Sequence, residues 1–413
     1  MNQKKKFDLL GTLSESNVSA SLFAIVLGLL VGFVVIIASN PAHGGAGITS
    51  LLTGGFRNMR NLGQVLYTGT PLILTGLSVA FAGKTGLFNI GASGQFIVGA
   101  YLAILVGVRV NLPGPLLCIA AVLASIIGGA IWGAVPGILK AWRNVNEVIS
   151  CIMMNYIGMF LVNWSIINTI YDQTRNQTLR VQPNANFGTM GLDRIFVTDG
   201  SASNISGTFI LAVLVAILMY IILDKTTLGY QLKACGYNKD AAQYAGINSN
   251  RGVILAMVIS GALAGLGGAL FYLAGDNRAI SVVDTLAPSG FNGIPIALLA
   301  LNSPIGVIFS AIFLGYLTIG GIAMQPNFAP EVVDMIVAII IYFSALALLI
   351  KGFFQWIKRK KRGGDTTVTP EAVPAADNTE DVAPQEDSAT AETGDDPPEE
   401  VSTTGEKEVV ADE

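Results

Sequence analysis

Residues 253–274 read VILAMVISGALAGLGGALFYLA, twenty-two consecutive positions without one Asp, Glu, Lys, Arg or His. The hydrocarbon core of a bilayer is about 30 Å thick and an α-helix rises about 1.5 Å per residue, so a run of this length predicts a membrane-spanning helix. Eight more apolar runs lie at about 21–39, 62–82, 90–108, 115–139, 148–170, 207–223, 304–323 and 332–350. The composition agrees: 52% hydrophobic, 13% charged and a mean hydropathy of +0.59 put most of the chain in lipid. Within the quoted run Gly261 and Gly265 stand four residues apart, as do Gly129, Gly133 and Gly137, and Gly28 with Gly32. In a membrane such spacing lets helix backbones approach closely, so these glycines are read as packing residues.

Charge then orders the runs. Lys4, Lys5 and Lys6 precede the first, and Lys358, Arg359, Lys360, Lys361 and Arg362 follow the last, which predicts that both termini are cytoplasmic. Nine crossings cannot satisfy that. The shorter run from Ser289 to Leu301, ended by Asn302, Ser303 and Pro304, supplies a tenth. With ten spans, sixteen Lys and Arg of the body fall on the cytoplasmic side, including Lys84, Lys140, Lys233 and Arg251, against seven outside. The expectation is an all-α, multi-pass plasma-membrane protein. Residues 1–20 form a cytoplasmic N-terminal segment and 21–350 the transmembrane domain, with short or broken helices near 86–95 and 289–302. The first run is read as a retained anchor rather than a signal peptide.

The net charge of −4 conceals two opposite halves. Residues 365–413 hold sixteen Asp or Glu and one basic residue, Lys407, which leaves the body at about +11. The tail 363–413 is expected to be disordered, because its Pro, Glu, Asp, Thr and Ala bury too little apolar surface to offset ordering entropy. The basic residues of the body lie between apolar runs, where they set topology, and no nucleic-acid-binding signature accompanies them. Cys118, Cys151 and Cys235 are scattered and His43 is the single histidine, so neither a disulfide framework nor a metal centre is expected.

Gly83-Lys84-Thr85 looks like the end of a phosphate-binding loop, but Ser78 occupies the place of its first glycine and no strand precedes it. No catalytic site is expected on this chain. The central portions of the spans lack Asp, Glu, Lys and Arg, since Glu147, Asp224, Asp276, Asp284, Glu331 and Asp334 fall at ends or in loops. That counts against a proton relay and points to energy supplied by a partner. The longest internal cytoplasmic loop, 224–252, carries a short helix pattern: Asn238 as N-cap, Lys239 to Tyr244 with Ala241 and Ala242, and Gly246 to end it. Spacing alone also fits a plain connecting loop.

The segment Gly229-Tyr-Gln-Leu-Lys-Ala-Cys-Gly-Tyr-Asn-Lys-Asp-Ala-Ala-Gln-Tyr-Ala-Gly-Ile247 resembles the coupling loop of ABC importer permeases of the ribose, branched-chain amino acid and nucleoside group. Gly86-Leu-Phe-Asn-Ile-Gly-Ala-Ser-Gly-Gln95 and Asn144-Val-Asn-Glu-Val-Ile-Ser-Cys-Ile-Met-Met-Asn-Tyr156 are most similar to the nucleoside-importing branch. The likeness runs from about residue 60 to 350. It departs at Ser93, where that branch often has Glu, and in the acidic tail. It implies partners: cytoplasmic ATPase subunits that hold ATP and Mg, a second homologous permease subunit and an extracellular substrate-binding lipoprotein. It also implies that Gly236, Asn238, Asp240, Ala241, Ala242 and Gly246 form the ATPase-coupling element, and that cargo moves by alternating access.

Glycines around Asn89 would let a helix start or break inside the membrane and line a polar path with backbone groups. Asn89, Ser93, Gln95, Asn155, Tyr156, Phe291 and Asn292 offer amide, hydroxyl and aromatic partners for a neutral nucleoside; each fits helix-to-helix hydrogen bonding as well. Branched-chain amino acids or a pentose are rival cargoes. An ion-coupled secondary carrier and a non-transporting scaffold are rival classes.

Overall fold

The computed structural model describes residues 17–275, 279–346 and Gly352. Lys4 to Lys6, Asp276, the end of the last apolar run, the basic cluster 358–362 and the acidic tail 363–413 lie outside the described residues.

All nine apolar runs coincide with helices. In chain order these are α1 (Asn17–Ser39), the short α2 (Gly44–Thr53), α3 (Met59–Lys84), α4 (Ala92–Arg109), α5 (Gly114–Arg143), α6 (Glu147–Thr169), the one-turn α7 (Leu192–Ile195) and α8 (Thr208–Lys225). There follow α9 (Thr227–Tyr237), α10 (Lys239–Tyr244), α11 (Ser249–Tyr272), the short α12 (Pro288–Phe291) and α13 (Gly293–Leu299), α14 (Pro304–Ile322) and α15 (Pro330–Ala345). Among the described residues seven of these, α3, α4, α5, α6, α8, α11 and α14, are long and apolar enough to cross a membrane. The polar stretch after α6 folds back on itself in two antiparallel hairpins, pairing Tyr171–Asp172 with Gln177–Thr178 and Val197–Thr198 with Ser201–Ala202.

Helix starts follow side-chain chemistry. Asn58, Asn146, Thr226, Asn238, Asn248 and Ser303 each accept a hydrogen bond from a backbone N–H in the following turn, at 2.8–3.4 Å. Each such cap contributes about 1 kcal/mol to its helix. The outward faces stay apolar: Leu116, Ile119, Leu123, Ile127 and Ile131 of α5 recur at three- and four-residue steps and are all exposed, as a lipid-facing stripe requires.

At the centre stands α3, buried without a break from Gly69 to Ala82 and enclosed by α8, α11, α13 and α14. Beside it, α5, α11 and α4 meet through glycine. A Cβ on Gly129 would lie 2.2 Å from the Gly261 carbonyl oxygen, one on Gly265 would lie 2.4 Å from the Ser125 oxygen, and one on Gly99 would lie 2.4 Å from the Gly265 Cα. Backbone touches backbone over three helices, which lets dispersion and weak Cα–H contacts act where lipid removes the hydrophobic drive.

The tenth run is not one helix. Ile280 and Val282 are hydrogen-bonded to Thr178 and Asn176 of the first hairpin, and Asp284 accepts from Asn163 of α6 at 3.1 Å. The chain then runs non-helically to Ala287 and enters α12 and α13, whose Gly290 packs on the backbone of Ser93 and whose Gly293 packs on Thr75. It turns at Leu301 and Asn302, both at positive φ, with Asn302 against Gly83 at the end of α3. Extended backbone and two short helices thus stand where one short helix was expected.

Candidate functional site

Residues 85–91, ahead of α4, are the second non-helical stretch inside the helical body, and their polar groups must find partners within the protein. Asn89 supplies most of them. Fully buried, its amide nitrogen donates to Gln95 Oε1 (2.7 Å), Ser260 Oγ (2.7 Å) and Ser78 Oγ (3.1 Å). Its oxygen accepts from Gln95 Nε2 at 3.1 Å, closing a reciprocal amide pair. Asn155 works one layer over: its oxygen accepts from the Gly94 N–H at 2.8 Å and its nitrogen donates to the Ile90 carbonyl at 3.1 Å. Ser93 Oγ donates to the Ala287 carbonyl at 2.9 Å, tying the break before α4 to the break before α12.

Asn89, Ser93, Gln95 and Asn155 are therefore brought together at one junction, all buried and all engaged within the chain. Tyr156 is not among them; it lies half-exposed on the outward face of α6 with Met153, Ile157 and Phe160. Phe291 is partly buried at the end of α12, and Asn292 is exposed. Ser78 and Ser260 complete the network and were missed by sequence reasoning. The signal available was a hydroxyl in the middle of each of two apolar runs.

Asn292 opens onto a cavity of about 500 Å³ between the α12–α13 joint, α14 and α15, lined by Pro288, Leu314, Thr318, Gln325 and Asp334 among others. Gly290, two residues before Asn292, packs on the Ser93 backbone of the junction.

At the opposite end the loop 224–252 forms two helices, α9 and α10. Asn238 caps α10 by accepting from the Asp240 and Ala241 N–H groups, both at 3.0 Å. Gly246, at φ +80°, ends it, with Ile247 N–H donating to the Ala242 carbonyl at 3.0 Å. Ala242 faces inward and is buried; Asp240 and Ala241 face outward. Tyr237 and Tyr244 are 89% and 94% exposed, and open grooves of about 510 and 520 Å³ flank α10. Two large aromatic side chains are thus left exposed at the ends of α10. Gly236 lies against Thr85 and Gly86: a Cβ on Gly86 would stand 2.5 Å from the Gly236 Cα, so the loop touches the break before α4 directly.

Residues 61–345 match the family described as branched-chain amino acid transport system / permease component. The chain is 38% identical over 352 residues to the guanosine ABC transporter permease protein NupP of Bacillus subtilis, covering 85% of this chain and 99% of that one. It is 39% identical over 339 residues to the nucleoside ABC transporter permease protein NupB of Lactococcus lactis, covering 80% and 91%. It is 31% identical over 357 residues to the glucose ABC transporter permease protein TsgB13 of Haloferax volcanii, covering 83% and 91%. No solved structure matches the chain.

Proposed function

The chain belongs to the branched-chain amino acid transport system / permease component family and is the membrane-spanning, non-catalytic permease subunit of an ABC importer; from that premise we propose that its cargo is a nucleoside. The observation that carries the proposal is the whole-chain identity of 38–39% to permeases named for guanosine and nucleosides, against 31% to one named for glucose. Membership of the family removes the ion-coupled carrier and the scaffold as readings.

The topology behind this function is ten crossings. Nine are helical, and residues 279–299 make the tenth as extended backbone followed by α12 and α13. Supporting this is the level of each end: Ile280 and Val282 bond to the hairpin 171–178 and Asp284 to Asn163 near the end of α6, while Asn302 lies against Gly83 next to Lys84. Both termini are then cytoplasmic.

Gly236, Asn238, Asp240, Ala241, Ala242 and Gly246 form the element that ATPase subunits grip. Asp240 and Ala241, with Tyr237 and Tyr244, offer the contact surface, while Asn238, Ala242 and Gly246 shape it. ATP and Mg reside on those partner subunits. A second homologous permease and an extracellular binding lipoprotein complete the importer. In the cargo path Asn89, Ser93, Gln95 and Asn155 act as the frame that holds two broken segments open, and Asn292 belongs to the surface that the cargo meets.

The test is uptake of labelled uridine and adenosine by cells lacking the chain and cells with it restored, competed with unlabelled nucleosides, ribose and leucine. Loss on deletion, recovery on restoration and competition by nucleosides alone support the proposal. Competition by ribose or leucine instead assigns the cargo to a pentose or a branched-chain amino acid.

A further inference from the structure

Asp334 is the fifth residue of α15, about 6 Å along the helix axis from its start. Among the described residues, Asp and Glu in the long apolar helices otherwise fall within two residues of an end, as Glu147, Asp224 and Glu331 do. Glu147 and Asp224 are also paired, with Lys140 and Lys233, each at 2.9 Å. Asp334 has no ion-pair partner among the described residues. Its level is fixed by Val333, whose Cγ1 lies 2.2 Å from where a Cβ on Gly321 would stand, next to the end of α14. Asp334 is exposed, and at the level of a helix end its carboxylate prefers water or a hydrogen-bonding ligand to lipid. The surface in front of it is the 500 Å³ cavity whose other polar walls are Thr318, Gln325 and Asn292.

We infer that Asp334 is a specificity-determining residue that reads the ribose of the cargo, its two carboxylate oxygens accepting from the neighbouring 2′- and 3′-hydroxyls. This deepens the nucleoside reading and rests on it. An ionised carboxylate is an acceptor only, and a cis-diol presents two donors at a spacing that one carboxylate spans. Thr318, Gln325 and Asn292 can both donate and accept, so they tolerate different bases, while Asp334 demands hydroxyl donors.

The experiment compares uptake of uridine and 2′-deoxyuridine by cells carrying the wild type, Asp334→Asn or the control Glu331→Gln, with membrane levels of each measured. The wild type should favour uridine. Asp334→Asn should lower uridine uptake about tenfold or more while 2′-deoxyuridine changes far less, bringing the ratio towards one. Glu331→Gln should leave the ratio unchanged. Equal loss of both substrates, or no change in either, overturns the assignment of Asp334 while leaving a nucleoside cargo standing. A wild type that carries ribose or leucine and no nucleoside overturns both.

Discussion

Replacing Asn89 by Ala separates a frame from a binding group. The substitution removes the reciprocal pair with Gln95, whose amide is 1% exposed and has no other hydrogen-bond partner among the described residues. Ser78 and Ser260 keep each other at 3.0 Å, and Ser260 keeps the Ser78 carbonyl at 2.7 Å, so the damage concentrates on Gln95. Two orphaned amide groups at about 1 kcal/mol each, the scale of strong interhelical bonds in membranes, and a side-chain-sized void of about 1 kcal/mol give a loss of about 3 kcal/mol. The assay is reversible unfolding of the purified protein in mixed micelles, with uptake measured alongside. Gln95→Ala in the Asn89→Ala background removes the orphan, so the double variant should be about as stable as the single, a coupling of about 1–2 kcal/mol. Unchanged stability with uptake lost, or additivity within about 0.5 kcal/mol, would refute the frame and make Asn89 a cargo contact.

Gly246→Val has room for its side chain but forces a branched residue to φ +80°, and Ala241→Asp puts a charge on the outward face of α10; both should abolish uptake at normal membrane levels, read by immunoblot beside transport. Ala242→Asp should lower the amount of folded protein as well, because Ala242 is 4% exposed. Asn238→Ala should cost about 1 kcal/mol and speed amide exchange at Asp240 and Ala241, seen by hydrogen-exchange mass spectrometry. Gly265→Leu should destabilise the protein by at least about 3 kcal/mol in the same unfolding assay, whereas Gly45→Ala, with nothing within 4 Å, should not.

Helix positions were legible because lipid leaves the sequence little freedom: a spanning segment must be long and uncharged, and all nine such runs became helices. The segment 289–301 read as a short tenth helix, yet it folds as two short helices, α12 and α13, preceded by the non-helical residues 279–287. Six of the nine residues 279–287 are apolar, but Ser281, Asp284 and Thr285 interrupt the run, and its backbone is held by Thr178 and Asn176 of the first hairpin and by Ser93, partners distant in sequence. Gly261 and Gly265 announced a close contact but not with which helix; only the fold brings Gly129 and Gly99 to them. The short helix between Asn238 and Gly246 was legible because capping is local. The burial of Ala242 and the exposure of Tyr237 and Tyr244 were not, because the helix face is chosen by packing against the rest of the loop. At the junction the amides stood out, while Ser78 and Ser260 were hidden as ordinary polar residues of apolar runs. Asp334 read as a helix-end residue, and its role as a cavity wall depends on where α12 and α14 stand.

The contact between Gly86 and Gly236 sets the mechanical quality of the protein as a machine. Side chains between two moving parts act as springs: they hop rotamers and absorb displacement before passing it on. Here the parts are bare backbone, with less than a methyl group's room between them. Under the coupling proposed above, such a joint would have almost no backlash, and a shift of α9 would reach the mouth of α4 without side chains to absorb it. On that proposal the power stroke would be spent on the segment before α4 rather than on taking up slack.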